Sequence, residues 1–156
     1  YRRLKTVEIW KGNPEGKKSS VGDANRIRVR LNWEAVLKAA ADPEDNYNLT
    51  LHEFAHVIDN ADDGEADSIP LLPNAKERKE WKELVRREKR AISSSKWKDD
   101  KHVVNEYGAT KDAEFFSCAT ESFFEKPMEL QRNHPEIYDI LKDFYQLDPA
   151  NWDIPT

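Results

Sequence analysis

Two histidines four residues apart, His52 and His56, bracket the acid Glu53 in the string HEFAH. On an α-helix such residues project from one face a turn apart, so two neutral imidazoles can grip one metal ion from a single rigid element. Glu53 falls to the side of that face, within reach of a water on the metal without ligating it. A catalytic zinc needs one further protein ligand and an open position. The pattern is short enough to arise by chance, and two satisfied core histidines in a structural helix would read the same way. The surrounding segments must decide.

Leu49, Leu51, Phe54, Ala55 and Ile58 put apolar residues around the histidines, as in a buried helix, and Asp45, Asn46 and Asn48 are N-cap candidates for it. Asp59, seven residues after His52, shares the histidine face and is a candidate carboxylate for orienting a histidine ring. A second helical pattern runs through Phe115, Phe116, Cys118, Ala119, Phe123 and Phe124, with Thr110 as its candidate cap. Glu114 and Glu121 share one side of it. Carboxylates are costly to bury among phenylalanines unless a cation or hydrogen bonds compensate them. Glu114 is thus a candidate third ligand and Glu121 a candidate acceptor for a ligand histidine, unless they lie on the solvent side. His102 and His134 compete as third ligands but read as surface residues. A Cys118 thiolate is conceivable, although a small buried apolar side chain is the plainer reading.

These residues need a scaffold. Val7-Glu8-Ile9-Trp10 reads as a short strand, and Arg26 to Leu31 as another, with Ile27, Val29 and Leu31 inward and three arginines on the wet face. Lys11 to Asp23 reads as an exposed loop. Asn32 can cap a helix over 33–41. Asp62, Asp63, Glu65 and Asp67 lack the EF-hand order of calcium ligands and read as a solvated acidic loop. A charged amphipathic helix over 74–92 buries Trp81, Leu84, Val85 and Ile92, and a last helix starts at Pro135. The pattern predicts strands within 7–10 and 26–31 and helices over 46–59, 111–125 and 135–146, all in one domain spanning residues 1–156.

A chain of 156 residues can bury a core, and its sixteen aromatic residues argue against disorder. The net charge of −5 gives no reason to expect nucleic acid. One cysteine excludes an internal disulfide and fits a reducing, cytoplasmic setting, and no apolar run reaches the length of a membrane span. Starting on Tyr1 rather than methionine, the chain reads as a fragment or a processed form.

The segments ADPEDNYNLTLHEFAHVID, ADSIP, NEYGATKDAEFFSCATESFFEKPMEL and LKDFYQLDP follow one another between Ala41 and Pro149, preceded by RIRVRLNWEAVLKAAADP. In this order the chain resembles the Mlc titration factor A family of zinc peptidases, a gluzincin-like group similar in its catalytic core to anthrax lethal factor. It departs from the family in lacking most of the region ahead of that core, and in carrying Lys111-Asp112 where Asp-Pro is usual. The resemblance implies an α+β zincin-like domain: a small, mostly antiparallel sheet packed on the HEFAH helix, with a mainly helical C-terminal half. It implies one zinc ion held by His52, His56 and Glu114, Glu53 as general base, and Tyr107 as stabiliser of the transition state. The expected substrate is a peptide or protein, and aminopeptidase-like action is one form this takes. In the strand-addition mode of peptide binding, Arg26 to Leu31 would be the edge strand. The resemblance also implies a possible protein partner, a transcriptional regulator. Two other readings stay open, a metal-binding regulator with little catalysis and a purely structural zinc domain.

Overall fold

The computed structural model describes residues 4–12, 21–61, 67–94 and 102–152. Asp62, Asp63 and Glu65 of the acidic cluster, most of the loop expected over 11–23, and Ala66 of ADSIP lie outside them. The fold is α+β. Strands β1 (Thr6–Trp10), β2 (Gly22–Asn25) and β3 (Arg28–Asn32) precede helices α1 (Trp33–Ala40), α2 (Leu49–Asp59), α3 (Ala75–Ile92), α4 (Phe115–Glu125), α5 (Pro127–Asn133) and α6 (Pro135–Tyr145). Short 3₁₀ turns cover Glu106–Ala109 and Pro149–Asn151. Among the described residues no helix is long and apolar enough to cross a membrane.

The strand order is β1-β3-β2. β2, in a segment expected to be mostly loop, pairs antiparallel with β3, with Gly22 opposite Leu31 and Asn25 opposite Arg28. β1 instead joins β3 in parallel, Thr6 opposite Arg28 through Trp10 opposite Asn32, so the sheet is mixed. This order corrects one expectation. The segment read as a peptide-accepting edge is the central strand, and both its sides are already paired. β2 is an edge. A second correction concerns Ile27, which stands 50% exposed in the β2–β3 turn, whereas Val29 and Leu31 are buried. The Asn25 carboxamide closes that turn by accepting the Ile27 and Arg28 N–H groups at 3.0 and 3.1 Å. At the far end of β1 the chain turns through Gly12, whose φ of 78° suits a residue without Cβ. Glu34 accepts the Gly12 N–H, and the Asn32 amide donates to its carbonyl.

Helix starts follow their caps. Asn32, Asn48 and Asn74 each accept the N–H three residues on, opening α1, α2 and α3. The choice of Asn48 makes α2 start at Leu49, later than the expected 46, because Asn46 is in the left-handed region at φ 64°. α4 likewise starts at Phe115, not near 111. Thr110 does not cap it; its hydroxyl donates to the Tyr107 carbonyl at the end of the 3₁₀ turn. Pro127 ends α4 as expected and also opens α5, a helix that the apolar pattern did not suggest.

α2 lies between two apolar clusters. Leu49 and Val57 pack with Val29, Leu31 and Ala39 beneath the sheet. Ala55 joins the larger cluster of Trp81, Phe115, Phe116, Phe123, Tyr138 and Leu141 formed by the helices. Each Val, Leu or Phe side chain so removed from water contributes about 1.5–3 kcal/mol before entropy is counted. Clamped from both sides, α2 has little freedom to rotate, which fixes the direction of its histidine face.

Candidate metal centre

His52 and His56 leave that face with ring centroids 4.8 Å apart and planes nearly perpendicular. Opposite them is the start of α4. Glu114 occupies the N-cap position of α4, yet its side chain makes no capping bond. Its carboxylate is free to turn inward, and Oε2 lies 3.1 Å from His52 Nε2 and 3.3 Å from His56 Nε2. A negative group at a helix N-terminus is also favoured by the helix dipole. One ligating atom from each residue falls within 4.8 Å of the others. His102 and His134 belong to no such cluster among the described residues. His134 is not a surface residue either: its side chain is 8% exposed, with Nδ1 3.2 Å from Glu88 Oε2.

Glu121, two turns further along α4, is 2% exposed, so the solvent-facing alternative does not hold. Its Oε1 lies 2.7 Å from His52 Nδ1, and its Oε2 accepts the Asn48 N–H at 2.6 Å. One carboxylate thereby ties the first turn of α2 to the ring of His52. Ser117 Oγ lies 3.2 Å from His56 Nδ1. Asp59, by contrast, orients neither ring: its Oδ2 accepts the Ser68 N–H at 2.8 Å and thereby anchors the chain just before α3. Burial pushes Asp59 up to about 7. Cys118 is buried, and burial raises its thiol. Its sulfur joins His52 and Glu121 in a second close group, but Glu121 is already engaged by His52 and Asn48.

The bonds at the Nδ1 atoms decide what the Nε2 atoms can accept. With Nδ1 donating to Glu121, a neutral His52 turns the lone pair of Nε2 toward Glu114, an acceptor. Two acceptors 3.1 Å apart need a positive charge between them. In the metal-free chain a proton serves. Burial opposes the charge on His52, but hydrogen bonds to Cys118, Glu114 and Glu121 outweigh it and hold the ring at about 12. Burial likewise works against the Glu114 carboxylate, and bonding to both imidazoles keeps it well below the usual carboxylate range. A divalent cation answers the same requirement. Nitrogen and oxygen ligands about 2.0–2.2 Å from a tetrahedral ion stand roughly 3.3 Å apart, close to both observed separations. The donor set fits a metal of the zinc type.

Glu53 is 6% exposed, and its Oε2 has no hydrogen-bond partner among the described residues. Burial pushes its carboxyl up to about 7, against the pull of His52 and His56. Tyr107, 45% exposed, sits on the 3₁₀ turn with its ring centroid 6.1 Å from that of His52. Asn105 fixes this turn by accepting the Tyr107 N–H at 2.9 Å. A cavity of about 310 Å³ is bounded by Asp23, Ala24, His56, Asn60 and Glu114, and a second of about 480 Å³ by Val21, Tyr47, Leu49, Asn105 and Cys118. Gly22, His52, Glu53 and Tyr107 line both. Sequence reasoning missed β2 because Gly22, Asp23 and Asn25 carry turn chemistry. The available signal was the alternation of β3, which calls for a hairpin partner upstream of a turn-forming Asn25.

If Glu121 steers the ring of His52 toward a cation, Glu121→Gln should weaken metal binding about 10–100-fold. Competition with a chromogenic chelator measures this, and an unchanged affinity would remove Glu121 from the metal site.

A profile of the glucose-regulated metallo-peptidase M90 family matches residues 5–146. The chain is 37% identical over 119 residues to an uncharacterized protein of Synechocystis sp., covering 76% of this chain and 43% of that protein. It is 30% identical over 125 residues to Mlc titration factor A of Pectobacterium atrosepticum, covering 78% and 45% of the two. For the protein of that name from Edwardsiella ictaluri the identity is 32% over 123 residues, covering 78% and 46%. The chain thus spans less than half the length of these relatives.

Proposed function

This chain belongs to the glucose-regulated metallo-peptidase M90 family, and on that premise we propose that it is a zincin-like catalytic domain hydrolysing peptide bonds at the His52–His56–Glu114 centre, with Glu53 as general base. The observation that carries the proposal is the convergence of two imidazoles and Glu114 on one point beside a buried carboxylate whose Oε2 has no hydrogen-bond partner among the described residues. A zinc ion held by His52, His56 and Glu114 would supply Lewis acidity and lower the pKa of a bound water toward about 7.

The remaining work falls to the chain's own groups. The Glu53 carboxylate takes a proton from the attacking water and returns it to the departing amine nitrogen. Burial raises the Glu53 carboxyl above the usual carboxylate range, which favours a group that must both accept and release a proton near neutrality. The Tyr107 hydroxyl donates to the negative charge that develops on the scissile carbonyl oxygen. β2 supplies the platform for an extended peptide. Asn32 N–H bonds to the Val21 carbonyl, so in the antiparallel register the Ala24 main chain faces away from β3. A peptide added along that side would pass the cavity walled by Glu53 and Glu114.

The test is digestion of a generic peptide library by the zinc-loaded chain, read by mass spectrometry. Chelator-sensitive cleavage is expected, and full metal occupancy without any cleavage would overturn the proposal. Tyr107→Phe should lower kcat by up to about 10²-fold at unchanged metal content, less than a fully enclosed donor would cost. Turnover equal to that of the parent would take Tyr107 out of the reaction.

A further inference from the structure

Glu53 comes very close to the sheet at Gly22. A Cβ built on Gly22 would lie 2.5 Å from Glu53 Oε1 and 2.9 Å from both Cδ and Cγ. Real contacts of a methyl carbon are not that short, so no side chain fits there while Glu53 stays where it is. The φ of Gly22 is not in the left-handed region, so backbone freedom is not what glycine provides here. It provides the missing methyl. Glycine inside a strand costs stability and commonly marks the close approach of another group.

All three close atoms belong to the side chain of Glu53, and none to a backbone. A side chain at position 22 therefore meets a group that can swing, not the frame of the fold. β2 is held by β3 and α2 by its two apolar clusters, so the carboxylate is the part that yields. Gly22, like Glu53, lines both cavities, so added bulk there would shift the acid where both cavities border it.

We propose that Gly22 is a positioning residue for Glu53, setting by its lack of a side chain where the general base stands over the cleft. This rests on the reading of Glu53 as the base. In zinc-loaded chain, Gly22→Ala should lower kcat about 10²-fold, the cost of an ångström-scale misplacement, at unchanged KM, metal content and thermal midpoint. Glu53→Asp, one methylene shorter, draws the carboxylate back from the added methyl. It should cost a similar factor alone, and the double variant should be no worse than the worse single one, because both act through one displacement. Losses that multiply, an unaffected Gly22→Ala, or a Gly22→Ala that loses metal or thermal stability would each overturn the proposal. Glu53→Gln serves as control. If it is inactive while Gly22→Ala is normal, the role of Gly22 fails and the base reading stands; if it is active, the base reading itself fails.

Discussion

Glu53→Gln should bind zinc as the parent chain does and lose about 10²–10⁴-fold in turnover, the usual contribution of a positioned general base. That is roughly 3–5 kcal/mol of barrier at 1.36 kcal/mol per tenfold. The substitution is nearly isosteric, so the packing against Gly22 and the burial among β2 and α2 persist. What it removes is the capacity to take up a proton. Removing an ionisable group held at 6% exposure also relieves a desolvation cost, so thermal stability should be equal or slightly higher. Full metal occupancy, an intact fold and near-zero turnover together form the expected signature. A variant cleaving peptides at the parental rate would show that another group moves the proton. A variant that loses zinc would show that Glu53 is a ligand.

Part of the candidate centre was legible in the residues themselves, and the role of Tyr107 only through the resemblance. His52 and His56 share a face because helix geometry requires it, and Glu121 faces inward because a carboxylate on a phenylalanine-rich helix needs a partner. Asp59 shows the limit of that argument. It has the same periodicity as the histidine face, but its nearest donor is the Ser68 N–H, contributed by a segment whose path no helical period encodes. The order of the sheet was hidden for a related reason. Alternation in Arg28–Asn32 reveals a half-buried strand but not which strands flank it, and β1 reaches it in parallel by a connection that leaves no local pattern. Gly22 read as loop chemistry because its value lies in what it does not carry, and that becomes visible only when Glu53 is placed beneath it. The late start of α4 also matters: an N-cap position, not a mid-helix one, gives Glu114 the freedom to reach both imidazoles.

Glu114→Ala should cost more metal affinity than the about 10–100-fold typical of losing an outer hydrogen-bond partner, because it removes a group in contact with both Nε2 atoms. The effect should appear as zinc stoichiometry falling below one per chain after dialysis against a weak chelator, with the helical circular dichroism unchanged. A proton count gives an independent check. Near pH 7, well below about 12, His52 carries its proton in the metal-free chain, so uptake of a cation must expel that proton. Calorimetry in two buffers of different ionisation enthalpy should therefore report proton release on zinc binding by the parent chain. With Glu114→Ala one of the bonds that retain the proton is gone, so the release should shrink as the affinity falls. Undiminished stoichiometry together with undiminished release would mean that Glu114 neither holds the metal nor shares the proton, and the two histidines would then need another third ligand. Cys118 is one candidate, since its sulfur stands in the second cluster with His52 and Glu121.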